Sequence, residues 1–177
     1  MSGLHRFLLL TAALLGLGAS ATEFLSPASI SALDLAGKIV SRDPTLRIFD
    51  LRPRAEYDQF HIPSAVHTTI GDLAEQAIPL DSTIVLYAES PLRAAQAGLR
   101  MRWSGFRNVL IFREGVNEWI SRAHEPRLPA DATEAERAEF QRAVEFSRFF
   151  GGVPIGNVPR SEIRSENRVA KIRRRGC

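Results

Sequence analysis

The chain of 177 residues holds a single cysteine, which excludes an internal disulfide and any zinc or iron–sulfur centre built on cysteines. It has little excess of either charge: 23 Lys and Arg stand against 20 Asp and Glu, a formal +3. Long apolar runs are also missing. The most extended, Phe7 to Gly18, covers only about 18 Å as a helix, against a bilayer core of about 30 Å. No fixed-period repeat is present. What remains is ordinary: 45% hydrophobic and 24% charged residues exclude a disordered, collagen-like or disulfide-stapled chain. The length suits one compact domain with short extensions. The sequence pI near 9.6 has a local origin. Between Pro159 and Cys177 stand seven Lys or Arg and two Glu, a net +5, which leaves −2 for the rest. The basicity belongs to the end of the chain.

The first residues read as an address. One arginine in residues 1–6, the apolar run, and the small residues Ala19-Ser20-Ala21 form the layout of a secretory signal peptide over residues 1–21. Cleavage is expected after Ala21, giving a periplasmic protein in a Gram-negative cell and a secreted one otherwise. An uncleaved anchor or a buried core helix is the alternative. Export also removes nucleic acid from the expected partners of the basic tail.

Ser31-Ala32-Leu33-Asp34 opens a helix with capping-box-like spacing, and Leu35, Ile39 and Val40 give it an apolar face. Asp43-Pro44 ends it. Leu46 to Leu51 and Ile84 to Tyr87 read as buried strands, and Val109 to Phe112 as a third. A helix from Leu92 to Trp103 lies between the last two, with Leu92, Ala95, Leu99 and Trp103 at helical spacing. Strands alternating with helices predict an α/β fold, an open parallel sheet flanked by helices. Leu128-Pro129-Ala130 marks a boundary, closing a domain over residues 22–128. Thr133 with Glu136 predicts a capped helix to about Phe150, within a segment 129–152 packed on that domain. Its face is Phe140, Ala143, Val144, Ser147 and Phe150, widened by Phe146 and Phe149. Gly151-Gly152 stops it, and residues 153–177 read as a flexible basic tail.

Three blocks carry a resemblance. The first is Asp50-x-Arg52, Glu56-Tyr57 and His61-Ile62-Pro63-Ser64-Ala65. The second is Ile84-Val85-Leu86-Tyr87 with Arg93-Ala94-Ala95. The third is Gly105-Phe106-Arg107-Asn108-Val109 through Glu114-Gly115 to Trp119. In this order the chain from about Ile30 to Arg122 resembles the rhodanese-like (sulfurtransferase) domain family. From the residues themselves, Arg52 and Glu56 sit close enough to pair after a strand. His61 precedes Ile62-Pro63 and reads as a structural histidine held by a nearby backbone group. His5, His67 and His124 lack ligand spacing, so neither a metal nor a cofactor is expected.

The resemblance implies that a cysteine should follow the second strand, in a loop whose N–H groups and closing arginine favour a thiolate. The corresponding loop is Ala88-Glu89-Ser90-Pro91-Leu92-Arg93, with Ala88 at the nucleophile position. A methyl group cannot attack sulfur. Pro91 brings no N–H, and Glu89 adds negative charge where an anion would sit. Arg93 could hold an anion or pair with Glu89. Ser90 lacks a Gly-x-Ser-x-Gly context. The remaining thiol is Cys177, after Arg173-Arg174-Arg175-Gly176, whose guanidinium groups favour its thiolate while the terminal carboxylate opposes it. Three functions follow as expectations. One is a non-catalytic module binding an unidentified periplasmic protein or a small anion. Another is a sulfur carrier using Cys177, which could also form a disulfide-linked dimer. A third is an accessory protein held weakly at a membrane surface by its basic tail.

Overall fold

The computed structural model describes residues 27–163 and 165. The expected signal peptide, His5, the basic run from residue 166 and Cys177 lie outside the described residues.

Five parallel strands form the sheet, in the order β1-β5-β4-β2-β3. They are β1 (Ala28–Ser29), β2 (Leu46–Asp50), β3 (Ala65–His67), β4 (Thr83–Tyr87) and β5 (Asn108–Ile111). Each strand of the centre is apolar on both faces because helices cover both. Ile48, Val85 and Tyr87 point into one layer, with Leu35, Ala36, Trp119 and Ala143. Phe49, Ile84 and Leu86 point into the other, with Ala94, Ala97 and Met101. This α/β architecture is the one the sequence predicts.

Helix α1 (Ala32–Val40) starts at Ser31, whose hydroxyl accepts from the Asp34 amide at 3.1 Å, and it buries Leu35 and Ile39. Helix α2 (Arg54–Gln59) follows β2, and α3 (Pro91–Trp103) follows β4. The inner face of α3 is not the one its larger side chains suggest. Ala94, Ala97, Gly98 and Met101 are buried, whereas Leu92 is 69% and Trp103 77% exposed. Small residues let the helix lie close over β4 and β5, and the Leu and Trp side chains point the other way. After β5 come α4 (Gly115–Trp119) and a π-helical turn at Ile120–His124.

The last helix, α5 (Glu134–Phe149), has both bonds of a capping box between Thr133 and Glu136. Ala143 and Ser147 are buried, Phe146 and Phe150 pack against the core, and Phe149 stays outside. The expectation of a flexible tail from residue 153 is corrected here for residues 153–163. Strand β7 (Ile155–Val158) runs parallel to β6 (Arg127–Pro129). Ile155 N donates to Pro126 O, and Ala130 N to Val158 O, each at 2.9 Å. The turn into β7 needs a glycine at 152. Its N–H donates to Ser147 O, the Ser147 hydroxyl donates to His124 O, and a Cβ at Gly152 would collide with that same carbonyl. Composition alone reads Pro, Gly and Asn as a loop, but these backbone groups find a partner strand brought near by α5.

Beyond β7, Arg160 bonds Asp131 at 2.9 Å and Glu136 at 3.0 and 3.2 Å. The Arg160 bonds, followed by those from Thr133, hold the Glu136 carboxyl at about 2, below its ordinary 4.5. A lowered folded-state value stabilises above the unfolded value and is lost as pH falls through the folded one. Glu136→Gln keeps the capping geometry and removes the charge. Its stability deficit against the native chain should therefore be constant above about pH 5 and shrink between pH 4.5 and 2. Denaturant midpoints across that range measure it. A deficit unchanged at pH 2 contradicts this assignment.

Candidate functional site

Parallel strands end together, so the sheet brings residues from three strands to one edge. Asp50 is in register with His67 of β3 on one side and with Tyr87 of β4 on the other. Asp50 has no solvent exposure. A buried carboxylate needs a paired cation and further hydrogen bonds. Arg52 supplies both. Its Nη2 lies 2.6 Å from Asp50 Oδ2, its Nε 3.0 Å from Oδ1, and its backbone N–H donates to Oδ1 at 2.9 Å. Nη2 also donates to Phe60 O at 2.7 Å. Glu56, half exposed, is a secondary partner at 3.5 Å. Burial opposes the Arg52 charge, but the hydrogen bonds and charge of Asp50 outweigh it, so the guanidinium is held charged.

Sequence reasoning missed the aromatic half of this cluster. The Arg52 guanidinium lies over the Tyr87 ring, 5.5 Å from its centre. The Tyr87 hydroxyl accepts the Ile62 amide at 3.2 Å. Burial, then the charge of Asp50, push the Tyr87 phenol far above its ordinary range, so it remains protonated. His67 Nε2 lies 2.9 Å from Arg52 O, and the Tyr57 hydroxyl donates to Ala65 O. His61 is exposed and stacks on Tyr57 with ring centres 4.0 Å apart, its Nδ1 3.0 Å from Tyr57 O. No local spacing marks His67 or Tyr87, because their partners come from neighbouring strands.

The loop at residues 88–93 starts from this edge, since Tyr87 O accepts the Leu51 amide. Ala88 is 8% exposed and packs into the layer of Phe49, Leu86 and Ala94. Gly115, with φ of +69°, brings the start of α4 beside it: a Cβ there would lie 3.8 Å from Ala88 O. Ser90 caps α3, its hydroxyl accepting the Arg93 amide at 3.3 Å, and Pro91 takes the first helical position. Glu89 Oε1 lies 2.7 Å from Arg93 Nη1, at the surface. The loop therefore offers fewer donors than its length suggests. Pro91 has no N–H, the Arg93 amide is engaged by Ser90, and the Arg93 side chain is engaged by Glu89. Two cavities, of about 340 and 640 Å³, lie elsewhere: the first between β6 and α5, the second between α1 and α5. Among the described residues no three His, Cys, Asp or Glu side chains cluster to hold a metal.

Removing Arg52 should leave a buried unpaired carboxylate. Arg52→Ala is expected to cost about 3–5 kcal/mol of unfolding free energy. Glu56→Ala should cost below about 1 kcal/mol, since that carboxylate is solvated. Urea unfolding of the two variants decides the point, and equal losses would contradict the ranking.

The chain is 31% identical over 85 residues to the candidate sulfur carrier protein YrkF of Bacillus subtilis (strain 168), covering 47% of this chain and 46% of that one. It is 31% identical over 100 residues to the tRNA uridine(34) hydroxylase of Sodalis glossinidius (strain morsitans), covering 51% of this chain and 28% of the enzyme. It spans less than half the length of either curated relative. The solved rhodanese-like domain of the Anabaena sp. Alr3790 protein aligns at 26% identity and a TM-score of 0.48, over 52% of this chain and 73% of that one. Residues 32–122, from the first residue of α1 into the π-helical turn, match the profile of the Rhodanese-like domain. That match covers just over half of the sequence, and the chain belongs to the rhodanese-like domain family.

Proposed function

We propose that the chain is an exported rhodanese-like module that binds a protein or a small anion and does not catalyse sulfur transfer at its strand-end loop. The observation that carries this reading is the content of residues 88–93. A methyl group occupies the position after β4, where the resemblance calls for a thiol. Without a thiolate there is no covalent persulfide intermediate, and the route is missing rather than slowed. Pro91 and the Glu89–Arg93 pair add to this, since they reduce the donors and positive charge a thiosulfate would meet.

Cyanide-dependent thiosulfate turnover tests the reading on the full chain. We expect no turnover above background. Ala88→Cys should remain at least about 10²-fold below a rhodanese-like enzyme with a cysteine in its loop, because the donors are still missing. Near-normal activity in that variant would show that Glu89 and Pro91 matter little.

A second reading is favoured by the likeness to a candidate sulfur carrier. In it the Cys177 thiolate attacks the outer sulfur of a donor such as thiosulfate, forming a persulfide and releasing sulfite. Turnover in the native chain that disappears in Cys177→Ser would replace the first reading by this one.

Export rests on the first 21 residues. The chain recovered after export should have an intact mass beginning at Thr22. A recovered chain that still begins at Met1 contradicts cleavage.

A further inference from the structure

The helix that follows the loop carries a surface the rest of the fold does not use. Its inner face is made of Ala94, Ala97, Gly98 and Met101. At about 100° per residue, Leu92, Leu99 and Trp103 fall within about 40° of one another on the outer side. Leu92 is 69% and Trp103 77% exposed, and Leu99 is partly buried. Arg100 and Arg102 flank this stripe, about 60° to either side. From Ser90 to Arg113 the chain contains five arginines and no Asp or Glu. Arg93 is compensated by Glu89, but Arg100 and Arg107 are exposed and have no ion-pair partner among the described residues. A convex apolar stripe about 16 Å long, edged by arginine and ending in an exposed tryptophan, is what an interfacial helix presents to an anionic bilayer.

We propose that the outer face of α3, centred on Leu92, Leu99 and Trp103, docks on an anionic lipid surface. The apolar side chains enter the headgroup boundary while Arg100 and Arg107 meet the lipid phosphates. Charge complementarity selects this occupant. A second copy of the chain would set the same arginines against one another. Pro27 packs on α3 at Gly98, where a Cβ would approach the proline ring to 2.8 Å. Gly98 lies at the edge of the inner face nearest the stripe. This contact is separate from any made by the basic end of the chain, and it does not depend on whether the loop is catalytic.

Tryptophan emission reads the proposal directly, because Trp119, the other tryptophan, is fully buried. The full chain is mixed with phosphatidylethanolamine vesicles containing phosphatidylglycerol, and separately with vesicles of phosphatidylcholine alone. The expected result is a blue shift and quenching by brominated lipid with the anionic vesicles only, reversed by added salt. Leu92→Ser with Trp103→Ser should lower the vesicle partition coefficient by at least about tenfold, measured by sedimentation. Arg100→Glu with Arg107→Glu should lower it comparably without touching an apolar residue. Both pairs are surface changes, and an unchanged melting curve verifies that each variant folds. Sedimentation with vesicles while Trp103 emission stays fixed assigns binding to the terminal segments and overturns the proposal. A concentration-dependent shift without lipid assigns the face to self-association, and a shift with poly-glutamate but not vesicles assigns it to an acidic protein. Either outcome overturns it as well.

Discussion

A carboxylate with no solvent exposure, Asp50, sets the terms for the edge of the sheet that carries the loop. Arg52 wraps back on it with three hydrogen bonds from its side chain and one from its backbone N–H, and that requires the chain to leave β2 in one particular way. Arg52 then has further donors to place, and one of them fastens Phe60 O. Its own carbonyl faces His67 at the end of β3, and its guanidinium covers the ring of Tyr87 at the end of β4. Three strand ends are thereby fixed to one ion pair. Such a pair adds little net stability, because the desolvation of both charges offsets their attraction. Its consequence is geometric: alternatives that separate the two groups bury an unpaired charge, so the edge has one arrangement.

The legible parts of the fold are those whose signal is local. Strands β2, β4 and β5 are buried on both faces and read as short apolar runs. Helices α1 and α5 announce their starts through Ser31 and Thr133, whose hydroxyls cap within three residues. The inner face of α3 was not legible in this way. Close packing on a sheet selects Ala and Gly, and these carry little hydrophobic signal beside Leu92 and Trp103. Strand β7 was missed for the opposite reason. Its residues look like loop, and what orders them is distant: a partner strand at residues 127–129, and acids 29 and 24 residues before Arg160. The site divides similarly. Asp50, Arg52 and Glu56 are close in sequence and pair as neighbours, while Tyr87 and His67 join the cluster only through strand register.

The segment after residue 126 is more than an appendage. It places α5 against α1 and the π-helical turn, and the contact is specific at single atoms. Ser147 donates to His124 O, and Gly152 passes where no side chain could. With β7 pinned to β6 and Arg160 clamped between Asp131 and Glu136, the net charge of the chain is spatially divided. The ordered part of residues 153–163 spends its one arginine on acids of the body. The remaining cations that face solvent on the described surface include Arg100 of α3, on the far side of the sheet.

The loop itself has been committed to starting a helix. Serine at the cap followed by proline at the first helical position is a strong start signal, because the hydroxyl satisfies one orphan amide and the proline has none to satisfy. An anion cradle needs the reverse: amides left unpaired by the protein and aimed at a guest. The same few N–H groups cannot serve both ends. In this chain the Arg93 amide faces Ser90, the Arg93 side chain faces Glu89, and the methyl of Ala88 fills space in the core. Each of these choices strengthens the junction between β4 and α3 and weakens it as a receptor for a small oxyanion. A strand end tied to its neighbours through Asp50 and Arg52 is suited to presenting the helix that grows from it. The outer face of α3 is a surface that this part of the fold holds in place.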